Sequence, residues 1–67
     1  MKTTQIRKIA RNAGAVSFKL LKGEKMTWLA CFAETAKDRG AMMAKMSAAG
    51  LKVEIGHFGN QVDVEVA

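Results

Sequence analysis

The side chains able to do chemistry are few. One cysteine, Cys31, and one histidine, His57, are the only pair from which a thiol nucleophile and its base could be drawn. Such a dyad needs hydrogen-bond reach and usually a third, orienting group. Cys31 sits in a run of alternating apolar residues and His57 beside a turn, so they read as a buried small apolar residue and a solvated turn histidine. His57 has no second histidine, cysteine or carboxylate at short ligand spacing, so no metal site is expected. A lone cysteine also excludes an intramolecular disulfide and a multi-cysteine zinc site. Asp63 and Glu65, two apart in an alternating run, are expected on one wet strand face, as a solubilising edge rather than an acid and base pair. The glycines at 14, 23, 40, 50, 56 and 59 never form the strand, glycine loop and helix that cradle a phosphate. No cofactor is expected, and the chain reads as a non-enzymatic binding module.

Charge is the stronger functional signal. The 67 residues carry a net charge of +5, unevenly placed. Residues 1–25 hold Lys2, Arg7, Lys8, Arg11, Lys19, Lys22 and Lys25 against Glu24 alone, and the remainder is slightly acidic. A positive field confined to the first third implies an anionic partner: an acidic protein surface, a nucleoprotein complex or nucleic acid itself. Arg7, Lys8, Arg11, Lys19, Lys22 and Lys25 are the expected contact residues. No apolar stretch is long enough to span a bilayer and no signal-peptide order opens the chain, so a cytoplasmic location without membrane contact is expected.

These residues need elements to hold them. A composition 49% hydrophobic and 25% charged suits one small folded domain over residues 1–67. Residues 3–13 place Ile6, Ile9, Ala10 and Ala13 at helical spacing, with Thr3 or Thr4 as cap and Gly14 as stop. The opposite side carries Arg7, Lys8 and Arg11, so residues 1–14 form a basic helix or, alternatively, a flexible basic arm. Residues 15–21 and 26–32 alternate as two strands around the turn Lys22-Gly23-Glu24-Lys25, a hairpin with a basic tip. By that alternation Phe18, Trp28 and Phe32 join Val16 and Ala30 facing the core, leaving Phe58 as the exposed aromatic. Leu21 and Leu29 make the other face partly apolar too, so which face is buried stays open.

Thr35 and Asp38 resemble a capping pair, and residues 36–49 form the main helix, with Met42, Met43 and Met46 on its core side. Gly50 ends it and lets Leu51 fold back onto Met46. Gly40 inside the helix implies close packing there, with the sheet the natural neighbour. Leu51, Val53 and Ile55, then Val62, Val64 and Val66, alternate with polar residues as a second hairpin. The fold expected is α+β: a short N-terminal helix, then hairpin–helix–hairpin, giving a four-stranded antiparallel sheet with one helix packed across it. Surplus apolar surface could be covered by a second copy, as a homodimer.

Two resemblances attach to particular segments. Ile9-Ala10-Arg11, Ala13-Gly14 and Val16-Ser17 resemble the opening of the helix-turn-helix headpiece of the lac-repressor family, with Ala15 as an extra residue. That resemblance implies a recognition helix just after Ser17. From Ser17 onward, the hairpin, Ala33-Glu34-Thr35, helix, glycine and second pair of strands resemble in organisation small phage-encoded inhibitors of host machinery, of the RNA polymerase inhibitor and anti-CRISPR type. That likeness implies occlusion of a host surface, and direct DNA or RNA binding is the alternative.

Overall fold

The computed structural model describes residues 2–66. Helix α1 covers Thr3–Ala13 and is followed by strands β1, Ala15–Lys22, and β2, Thr27–Ala33. A 3-10 turn at Ala36–Asp38 leads into helix α2, Arg39–Ala48, and strands β3, Val53–Ile55, and β4, Gln61–Val66, complete the chain. The sheet is antiparallel in the order β1-β2-β4-β3.

Each boundary has a local cause. At the start of α1 neither threonine caps; the N–H of Lys2 donates to Gln5 Oε1 at 3.1 Å, one half of a capping box moved one residue earlier. The helix stops at Gly14, whose φ of 120° is open to glycine at little cost. Helix α2 ends in a two-bond cap: Gly50 N–H donates to Ser47 O and Leu51 N–H to Met46 O. Gly50 has the positive φ of 93° that this geometry requires. The expected Thr35–Asp38 pairing exists as a hydroxyl-to-carboxylate bond of 2.8 Å, but it closes the 3-10 turn, so α2 begins later than its periodicity suggested.

Both helices lie on one face of the sheet. α1 covers β1 and β2, α2 covers β2, β4 and β3, and the two helices touch. The core between the layers comprises Ile6, Ala10, Ala13, Ala15, Leu29, Cys31, Ala33, Met42, Met46, Leu51, Val62 and Val64. Alanines recur where α1 approaches the sheet, because small side chains let a helix sit close. Ile6, Ala10 and Ala13 are buried, so residues 3–13 are a packed helix and not an arm.

Three expectations fail here. First, Trp28, Ala30 and Phe32 do not face the helices; Leu29, Cys31 and Ala33 do. A bulge between Ala15 and Ser17 supplies the missing phase in β1: Val16 is extruded and 63% exposed, while Phe18 packs on the core. Second, Gly40 meets nothing, since a Cβ built there has no neighbour within 4 Å. Third, residues after Ser17 are strand, so the helix-turn-helix likeness of the first seventeen residues does not extend to the fold.

Candidate anion-binding face

The basic side chains are sorted by the elements that carry them. On α1 the buried stripe of Ile6, Ala10 and Ala13 turns Arg7, Lys8 and Arg11 outward, and all three are exposed. With Thr4 they line one shallow concavity about two helical turns long. Arg11 is held from below by Phe18 of β1, the guanidinium carbon lying 5.4 Å from the ring centroid. A cation over an aromatic face is worth about 0.5–1 kcal/mol at such an exposed site, and here it orders the side chain. None of the three cations enters a side-chain hydrogen bond among the described residues.

The other three candidates lie apart. Lys22 and Lys25 are exposed at the end of β1 and in the hairpin turn, where Gly23 N–H donates to Met26 O at 2.8 Å. Lys19 pairs in register with Ala30 and so stands on the sheet face away from the helices. The structure thus brings Arg7, Lys8 and Arg11 together and leaves Lys19, Lys22 and Lys25 around the β1 side of the sheet.

The basic face of α1 is locally costly. Arg7 and Arg11 are an i, i+4 pair of like charge, and such pairs destabilise a helix by about 0.2–0.5 kcal/mol. No acidic residue occupies the first turn to complement the helix dipole. The chain contains no carboxylate before Glu24. A helix serving only as a cover for the sheet would have no use for this arrangement.

The opposite sheet face is the feature that sequence periodicity missed. Following the register, one row across the sheet reads Lys19, Ala30, Asp63 and Glu54. The row toward the hairpin tip reads Leu21, Trp28 and Glu65, and the row at the other end reads Ser17, Phe32 and Gln61. Phe58, 59% exposed, packs on Phe32 with ring centroids 6.4 Å apart, and His57 meets Phe58 edge-on at 5.1 Å. Gln61 holds that turn down: it accepts from Phe58 N–H and donates to Asp63 Oδ1 at 2.7 Å. Asp63 and Glu65 therefore lie on an interior strand, not on the edge expected of them. The usable signal for the true phase was Leu29, Cys31 and Ala33, a run tapering to the small residue needed beneath the helices.

Cys31 and His57 are not brought together as a dyad. Cys31 is buried beneath the helices, its thiol directed to Leu29 O at 3.7 Å, whereas His57 is exposed in the β3–β4 turn. Burial pushes the Cys31 thiol up to about 12, with Asp63 adding to the shift and Arg7 opposing it, so the thiolate is scarce at neutral pH. Among the described residues no three His, Cys, Asp or Glu side chains gather in a metal-binding group. No helix among them is long and apolar enough to cross a membrane. Comparison with protein-family models, with curated proteins and with solved structures finds no match.

Proposed function

We infer that this protein is a non-enzymatic binding module, acting in the cytoplasm as a small inhibitor or regulator of phage type. It docks the basic face of α1 on an anionic surface of a host protein or nucleoprotein complex. The observation that carries this reading is the row Arg7, Lys8 and Arg11, exposed on a rigidly packed helix with no carboxylate among them. Unpaired cations on an ordered element give electrostatic steering and lose little entropy on binding. Lys22 and Lys25 extend the positive field beyond the hairpin end, and Lys19 adds to it from the other face.

Direct nucleic-acid binding is the second reading, favoured by the same row of cations. Against a single-strand platform stands the distribution of aromatics: stacking sites combine bases' partners and cations on one surface, and here Trp28 and Phe32 share their face with Glu54, Asp63 and Glu65. Duplex contact through α1 alone is the surviving form. Three neutralised phosphates would give a log–log salt slope of about −2.7.

The test is capture from a bacterial lysate on immobilised wild-type protein and on the Arg7/Lys8/Arg11→Ala variant, each with and without nuclease. Capture of a defined protein that resists nuclease and is lost with the variant supports the first reading. Nuclease-sensitive capture, lost with the variant and reproduced by purified duplex with the slope above, transfers the role to nucleic acid. Capture indifferent to the variant overturns both.

A further inference from the structure

Among the described residues no helix or strand covers the sheet face opposite the helices, where Trp28, Phe32 and Leu21 stand half-buried around a fully buried Ala30. Across the strands its character changes in order. Lys19 on β1 is basic, the β2 stripe Trp28, Ala30 and Phe32 is apolar, and Asp63 and Glu65 on β4 are acidic, with Glu54 of β3 beyond. A surface running from positive through apolar to negative is complementary to its own copy turned over about the middle strand.

We propose that this face is the interface of a homodimer, with the two-fold axis running along β2 so that two sheets pack face to face. Rotation about that axis lays each β2 stripe on its partner's and exchanges β1 with β4. Lys19 and Asp63 lie in one row, each one strand from β2 on opposite sides. Each Lys19 therefore meets the partner copy's Asp63, twice in the assembly. Stacked sheets lie about 10 Å apart, a gap that a lysine and an aspartate reaching toward each other span. Ala30 at the centre of the stripe is already fully buried, so contact across the axis falls to the half-buried rings of Trp28 and Phe32 from both copies. In the row of Ser17 and Gln61 the same rotation sets one polar residue on the other, and in the row toward the hairpin tip it sets Leu21 beside the partner copy's Glu65.

Charge argues against single-stranded nucleic acid as the occupant, because Glu54, Asp63 and Glu65 would face its phosphates. The helices form the outer layers of such a dimer, so the α1 cations remain free, while Lys19 is taken into the interface and no longer adds to the docking field. Failure of the dimer and failure of the binding role proposed for α1 are then separate results.

The experiment is sedimentation velocity on the full chain from micromolar to near-millimolar concentration, with the emission of Trp28, the single tryptophan, followed in parallel. Expected are a dimer and a blue shift of Trp28 emission as it forms. Lys19→Asp and Asp63→Lys should each weaken association by roughly tenfold or more, because each sets like charges opposite one another twice. Mixing the two variants should restore dimerisation, since every lysine in the mixed pair again faces a carboxylate. Circular dichroism of each variant monitors the fold, and Trp28→Ser, which leaves charge untouched, should also weaken the dimer. A monomer at every concentration overturns the proposal. So does a dimer that survives all three substitutions, or one that mixing fails to restore when both variants are folded. A Trp28 shift produced by oligonucleotide but not by concentration would assign the face to nucleic acid and likewise overturn it.

Discussion

Gly40 and Gly50 lie at opposite ends of α2, and the same substitution is expected to move stability in opposite directions at the two. A Cβ at Gly40 has open space around it and the residue is exposed near the start of the helix. Alanine there recovers helix propensity of up to about 1 kcal/mol, trimmed to about 0.5–1 kcal/mol by the first-turn position. Gly50 also has space but a φ of 93°. A side chain in the left-handed region costs about 1–2 kcal/mol, of which about 0.4–1 kcal/mol is offset by the stiffer unfolded chain. The net loss is about 1 kcal/mol. Unfolding entropy for 67 residues is about 140 cal/mol/K, so 1 kcal/mol moves the midpoint by about 7 °C. Thermal melts by far-UV circular dichroism should place Gly40→Ala about 4–7 °C above wild type and Gly50→Ala about 7 °C below it. A lowered midpoint for Gly40→Ala would mean that a neighbour does approach α2 there, and a midpoint for Gly50→Ala at or above that of wild type would refute the assignment of backbone conformation at Gly50.

Leu29, fully buried at the centre of the sheet, should lose about 3–5 kcal/mol on truncation to alanine. That is comparable to the whole stability of so small a domain, and urea titration should find the variant largely unfolded. Cys31 should resist a thiol reagent at pH 8 in the folded protein and react at once in denaturant. Because its folded value of about 12 lies above that of an unfolded thiol, stability is full below about pH 9 and falls as pH rises toward 12, by up to about 1.4 kcal/mol per unit. Cys31→Ala should flatten that alkaline slope in melts across the range. The Arg7/Lys8/Arg11→Ala variant should melt within a few degrees of wild type, because relief of like-charge repulsion offsets the lost Arg11–Phe18 contact. A large destabilisation would assign these residues to the fold and not to a partner.

The two hairpins, the methionine-lined helix with its Gly50 stop, and the outward set of Arg7, Lys8 and Arg11 were all legible from the order of residues. Those features rest on local rules: period two for strands, period near 3.6 for helices, and glycine where φ turns positive. Met42 and Met46 are buried as their spacing implies. Likewise α1 could be read as amphipathic, although whether it packed or hung free depended on a surface elsewhere in the chain.

The phase of the first hairpin was not legible, for a definite reason. Both faces of β2 are apolar, so alternation between Trp28, Ala30, Phe32 and Leu29, Cys31, Ala33 has no polar side to orient it. The helices decide, and they take the face whose residues shrink to Ala33 where α1 and Ala15 must fit. The bulge at Val16 then sets Ala15 and Phe18 together on that same face and turns Val16 off it, which strict alternation in β1 would not give. The register across β4 is likewise a tertiary fact: it alone sets Lys19, Ala30 and Asp63 in one row. The sequence by itself determined the elements, their order and the charge of α1, because these depend on contacts within a few residues. Tertiary structure decided which sheet face is covered and which charges share it, because those depend on competition between two apolar surfaces for one pair of helices.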